Sequence, residues 1–143
     1  MKGDLLPDKD HVSRYCPNTQ IYEDGDIDSA VFSLRKMKDG PEKYLSVHWI
    51  EFFSGEIEEA LVEIRPYLKR IRDYTPESVC AVLNVGHCKE HVKEYSDDNR
   101  ALGIKSEESR NNPAHAGIYN LSMDDDIVLE LITEIVIRKY PNN

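Results

Sequence analysis

The densest chemical cluster in the sequence is His87-Cys88-Lys89-Glu90-His91. Residues four apart share one face of a helix, so His87 and His91 could grip a single zinc ion between their imidazoles. The third ligand would be Cys88, His115 or His11, and catalysis would need an open fourth position. The cluster is only half of a known zinc motif, since no HExxH occurs. The competing interpretation is two exposed histidines on a solvated helix rich in Lys and Glu. A second constellation is His11, Arg14 and His115. Two imidazoles could serve as acid and base while the guanidinium holds a phosphate or carboxylate. Small residues flank His115 on both sides, in Pro113-Ala114-His115-Ala116-Gly117, as where backbone must approach something closely. This reading requires the three side chains to converge in one concave pocket. Otherwise His115 packs against or caps another element, and Arg14 pairs with one of the many acids.

Weaker signals lie elsewhere. Asp124-Asp125-Asp126 invites a metal, but three acids also suit the positive end of a helix dipole. Asn84-Val85-Gly86 reads as a strand end opening into a helix, whose free N–H groups could bind an anion. Trp49, Phe52 and Phe53 suggest core, or a partner-binding patch if exposed. No Gly-rich phosphate loop and no GxSxG elbow is present.

The elements that must position these residues can be read from periodicity and punctuation. Residues 11–16 alternate as a strand, ended by Pro17. Asp24-Gly25 between strand-like runs signals a hairpin, with residues 27–34 as its second strand. A second turn falls at Lys38-Asp39-Gly40-Pro41. Residues 47–53 read as a short helix capped by Ser46, with a strand reaching Ile50 as the alternative. Residues 56–73 carry Ile57, Ala60, Leu61, Ile64, Leu68 and Ile71 at helical spacing, with a kink expected near Pro66. The valine-rich run 79–85 reads as a buried central strand, with a helix begun by Thr75-Pro76 as the alternative, and residues 87–95 read as a short helix. Residues 96–113 form a long polar loop with one short strand near 101–105. A last helix starts at Ser122 and presents Ile127, Val128, Leu131, Ile132, Ile135 and Val136, with Arg138-Lys139 at its negative end. Strands mostly early and helices mostly late predict an α+β fold: N-terminal antiparallel strands, then amphipathic helices and one buried central strand.

The chain of 143 residues has the length of one domain, spanning 1–143, and is long enough to bury its own core. Eighteen Lys and Arg face 27 Asp and Glu, a net charge of −9, which opposes binding to nucleic acid or to an anionic membrane. No run of eighteen apolar residues occurs, and the charged N-terminus does not read as a signal peptide, so a cytoplasmic location is expected. Cys16, Cys80 and Cys88, an odd number without CxxC spacing, fit reduced thiols, with Cys80 a buried hydrophobe.

Taken together, His11-Val-Ser-Arg14-Tyr-Cys16, Asp24-Gly25, Ala30-Val-Phe32, Leu45-Ser-Val47-x-Trp49 with Glu51-Phe52-Phe53, Val82-Leu-Asn-Val85-Gly86 and His115-Ala-Gly-Ile118 resemble a group of small bacterial proteins without a known activity. The resemblance implies a bacterial, cytosolic, single-domain protein and lends no catalytic residues. The expectation is an accessory or regulatory subunit that works through contact with a protein partner or a second copy. The alternative is a small enzyme acting on an anionic nucleotide or phosphorylated substrate through His11, Arg14 and His115, with no cofactor unless zinc sits at His87, Cys88 and His91.

Overall fold

In a computed structural model, residues 1–71 and 74–143 are described. Six strands form one antiparallel sheet: β1 (His11–Cys16), β4 (Leu45–Trp49), β5 (Val79–Asn84), β6 (Gly103–Ser106), β7 (His115–Tyr119) and β8 (Arg138–Pro141). Their order across the sheet is β6-β7-β4-β1-β5-β8. A small hairpin, β2 (Lys36–Met37) with β3 (Gly40–Pro41), stands apart from it and turns at Lys38-Asp39. Three α-helices complete the chain: α1 (Ile57–Leu68), α2 (Val85–Tyr95) and α3 (Asp126–Glu134). The class is α+β as expected, but strands occur throughout the chain and not chiefly at its start. The valine-rich strand is buried as expected, yet it lies next to the edge strand β8, and β4 and β1 hold the centre.

Local chemistry explains several departures from the sequence reading. The expected helix at 47–53 is the strand β4 followed by a 3-10 turn, Ile50–Phe52. Pairing with β1 on one side and β7 on the other satisfies its backbone and outweighs the Ser46 cap signal. Residues 27–34 do not extend as a strand. One bridge, Ile21 to Ile27, closes the turn around Gly25, whose φ of +91° suits glycine. Asp28 Oδ1 then accepts from the Ala30 N–H at 2.9 Å and starts the 3-10 helix Ser29–Phe32. The last helix is the largest departure. It begins at Asp126, not Ser122, and ends at Glu134. Ile135, Val136 and Ile137 share helical spacing with the residues before them, but they are β-branched. The chain leaves the helix there and returns along β5 as β8.

Helix α1 keeps Pro66 inside it on the exposed side, where water can satisfy the carbonyl that the missing N–H leaves free. The helix expected over 56–73 ends at Leu68, residues 69–71 turn away, and 72–73 lie outside the described residues. Helix α2 starts where expected, with Asn84 Oδ1 accepting from the His87 N–H at 2.8 Å. The long polar segment holds β6 and otherwise runs as loop.

The two faces of the sheet are covered unequally. On the first face, Val12, Leu45, Val47, Ala81, Leu83, Ile104 and Ile118 meet Phe32 of the 3-10 helix, Val92 of α2 and Ile132 of α3 in one apolar cluster. On the second face, Ala60, Leu61, Ile64 and Leu68 of α1 pack on Cys80 and Val82 of β5, with Tyr15 of β1 and Tyr140 of β8 beside them. That smaller cluster includes no residue of β6 or β7, and near the end of α1 the Tyr67 ring reaches His48 of β4, with centroids 6.2 Å apart. Both sheet edges are occupied by the ends of the chain. Residues 3–6 hydrogen-bond along β6, through Gly3 N to Ser106 O at 2.8 Å and Leu6 N to Ile104 O at 3.0 Å. β8 lies along β5.

Candidate functional site

Strand alternation builds the site on the second face, along β4, β7 and β6. Leu45 and Val47 point into the first core, so Ser46 and His48 of β4 point the other way. Ala116 and Ile118 likewise turn His115, Gly117 and Tyr119 of β7 to the second face. The register sets Ser46 opposite Gly117 and His48 opposite His115. β6 adds Lys105 opposite Gly117, and Glu107 follows it, its N–H bonded to the His115 carbonyl at 2.8 Å. The result is a polar and aromatic patch on rigid backbone.

Gly117 is required by its neighbours. A Cβ there would sit 2.5 Å from Tyr44 Cδ2, so the absence of a side chain lets the Tyr44 ring lie against the strand. That ring is 5.8 Å from His115 and 5.2 Å from Tyr119, between centroids. Lys105 Nζ stands 4.9 Å above the Tyr119 ring, and Arg70 stands 5.1 Å from the Tyr67 ring at the end of α1.

The two imidazoles are 6.1 Å apart. Asn112 Nδ2 donates to His48 Nε2 at 3.1 Å, and Ser46 Oγ lies 3.3 Å from His115 Nε2. Burial, with a smaller contribution from His115, pushes the His48 pKa down to about 4, so the ring is neutral near pH 7. Burial also lowers His115, opposed by the nearby Glu107. The Tyr119 hydroxyl donates to Glu107 Oε1, and burial together with this carboxylate raises the phenol. Two buried acceptors of the patch, Glu107 Oε2 and Asn112 Oδ1, have no hydrogen-bond partner among the described residues. Ser46 also lines a cleft of about 530 Å³, whose walls include Arg35, Lys38, Lys43 and Tyr44.

The expected residues are not gathered together. Arg14 alternates with Val12 and Cys16 and so lies on the first face, donating to the carbonyls of Val31 at 2.9 Å and Ser46 at 2.8 Å. His115 lies on the second face. His11 shares that face but stands two strands away from His115, on β1, where Nδ1 is 2.6 Å from Glu51 Oε2. The geometry therefore does not assemble His11, Arg14 and His115 into one pocket. Arg14 fixes a 3-10 helix to the sheet through two carbonyls, where the sequence suggested an acid partner or an anion.

His87 and His91 do share a helix face, with ring centroids 5.9 Å apart, and His91 Nε2 is 2.9 Å from Glu134 Oε2. Cys88 turns inward to the first core and cannot join them from there. His11 and His115 project from the opposite face of the sheet. Among the described residues, no group of three or more His, Cys, Asp or Glu side chains is placed to hold a metal ion. The Asn84-Val85-Gly86 corner does not offer free N–H groups. Val85 donates to Asp10 O and Gly86 to Asp8 O, both at 2.9 Å, and His87 is capped by Asn84. Of the three aspartates, Asp125 is engaged in a similar way: it accepts from both Nη atoms of Arg100, at 2.7 and 3.1 Å, and from the Ser122 N–H at 2.9 Å. Trp49 packs against the first core and donates from Nε1 to Asp10 Oδ2 at 2.9 Å. The three cysteines are buried free thiols, with burial raising Cys16 and Cys88 to about 12 and Cys80 to about 11. They are poor nucleophiles.

Ser46, His48 and Asn112 are the site residues that sequence reasoning missed. Alternation along residues 45–49 could have placed Ser46 and His48 on one face. The pairing of β4 with β7, which brings them to His115, leaves no local trace. The chain matches no family model, no curated protein and no solved structure.

Proposed function

We propose that this chain is an accessory or regulatory subunit of a bacterial cytosolic system, and that it acts by docking a basic protein partner. The observation that carries this is an acidic ridge along the outer side of α1 and the turn before it. Glu51, Glu56, Glu58, Glu59 and Glu63 are exposed there, interrupted by the exposed apolar side chains of Phe52 and Val62. Apolar anchors ringed by charge of one sign give a complementary partner both contact area and electrostatic steering. Two copies of the ridge would repel each other, so a basic partner is favoured over self-association, and the same charge opposes nucleic acid. Buried, unpaired thiols support a reducing compartment. No helix among the described residues is long and apolar enough to cross a membrane.

The test is affinity capture from the source cells with the intact chain and with Glu58→Lys/Glu63→Lys/Phe52→Ser, a variant confined to exposed positions. The expected outcome is one stoichiometric basic protein retained at low salt, released at high salt, and lost by the variant. Capture of the same proteins by both forms, or sedimentation of the native chain alone in the lysate, would overturn the reading.

A further inference from the structure

We propose that Ser46 and His115 form a nucleophile–base pair that hydrolyses small carboxylic esters bearing a negative charge, a chemistry separate from docking on the acidic ridge. The pair is 3.3 Å apart from Oγ to Nε2. In the tautomer that carries its proton on Nδ1, Nε2 accepts from the Ser46 hydroxyl, and the base faces the nucleophile. Both side chains stand on the two strands β4 and β7, paired in the interior of the sheet, so the geometry is held by backbone. Burial keeps the imidazole neutral near pH 7, as a general base must be.

The substrate class follows from the surroundings. Ser46 lines the cleft of about 530 Å³ whose walls include Arg35, Lys38 and Lys43 against Asp39 and Glu42, with the Tyr44 ring beside the serine. Three cations against two acids, in a protein of net charge −9, make this a local reversal of sign. An acyl group carrying a carboxylate fits the cations, and its chain fits the Tyr44 ring. In the step, Ser46 Oγ forms a bond to the acyl carbon while its proton passes to His115 Nε2. The ester C–O bond then breaks, and the departing alcohol takes that proton. Water, deprotonated by the same nitrogen, hydrolyses the acyl-serine to release the acid and restore the serine.

The experiment uses the full chain. A fluorophosphonate probe followed by peptide mass spectrometry should label Ser46, and p-nitrophenyl hemisuccinate should be hydrolysed faster than p-nitrophenyl acetate. Ser46→Ala should abolish both labelling and the rate above buffer. His115→Ala should lower the rate about 100-fold or more. Lys43→Ala should lower hydrolysis of the hemisuccinate by a larger factor than hydrolysis of the acetate. The rate of the native chain should fall with acid through an apparent pKa below the ordinary histidine value of about 6.5, which a structural role for His115 would not produce. Circular dichroism on each variant separates lost chemistry from lost fold, and Ser46→Ala removes only a hydroxyl. A native chain that neither labels at Ser46 nor exceeds the rate of Ser46→Ala would overturn the proposal.

Discussion

The two faces of the six-stranded sheet solve the burial problem differently. The first is covered along its length by a 3-10 helix, α2 and α3, and its side chains are almost all apolar. On the second, the apolar packing of α1 is confined to β1, β5 and β8, and Tyr67 of α1 reaches only as far as His48 of β4 among the described residues. Beyond α1, the strands β4, β7 and β6 display Ser46, His48, His115, Tyr119, Lys105 and Glu107. The contrast shows what a covering helix does: where one is present, alternation is apolar on both sides, and where none is present, the outward positions become polar and aromatic and bond one another. The candidate chemistry sits on the half that the folding of the core does not use.

Several measurements would break or sharpen this comparison. Phe32 is fully buried in the first cluster, and Phe32→Ala should cost about 3–5 kcal/mol, with Leu68→Ala under α1 costing about 2–5 kcal/mol. Urea unfolding followed by Trp49 fluorescence and by circular dichroism should give coincident curves for both variants. Separate transitions in Leu68→Ala would mean that the two faces unfold independently.

The next effect is that of pH. An unfolded histidine titrates near 6.5, whereas half-buried His48 is pushed down to about 4. Between those values the unfolded chain holds more protons, so stability falls as pH drops from about 6.5 and this loss levels off near 4. Its full size is about 3 kcal/mol. Subtracting the stability profile of His48→Gln from that of the native chain isolates the contribution. A flat difference would show that His48 is accessible to water.

Smaller effects come from two glycines on the same half-face. Gly117→Ala must displace the Tyr44 ring and should cost about 1–3 kcal/mol, read as a shift in denaturation midpoint. At Gly103 the nearest atom to an added Cβ is 3.6 Å away, so Gly103→Ala should change stability by no more than about 0.5 kcal/mol. Equal costs at the two positions would refute the packing of Tyr44 against β7.

Much of the fold was legible where a local signal and the tertiary outcome agree. β1 alternates and stops at proline, β5 is a short valine-rich run, and α2 has its asparagine cap. The sequence misleads where two periodicities coincide. Ile127 through Val136 fits a helix stripe as far as residue 136, and only the partner strand β5, over fifty residues earlier, explains why the chain turns back at Ile135. The site was legible in one residue. Small neighbours marked His115 as a place of close approach, and Gly117 against Tyr44 is such an approach. Its companions Ser46 and His48 lie 69 and 67 positions away and reach it only through strand register. The apparent association of His11, Arg14 and His115 failed for a related reason: three residue types suited to one chemistry carry no information on which face of a strand each will take.

The way the chain's two ends lie along the sheet has a consequence for solubility. Open strand edges invite another molecule to add on, and β5 with its run Val79-Cys80-Ala81-Val82-Leu83 would be a strong template for such growth. β8 covers that edge and turns outward a strand bearing Arg138, Lys139 and Pro141, whose charges and missing N–H discourage the next addition. A chain cut before Arg138 should therefore form thioflavin-positive aggregates at concentrations where the full chain stays clear.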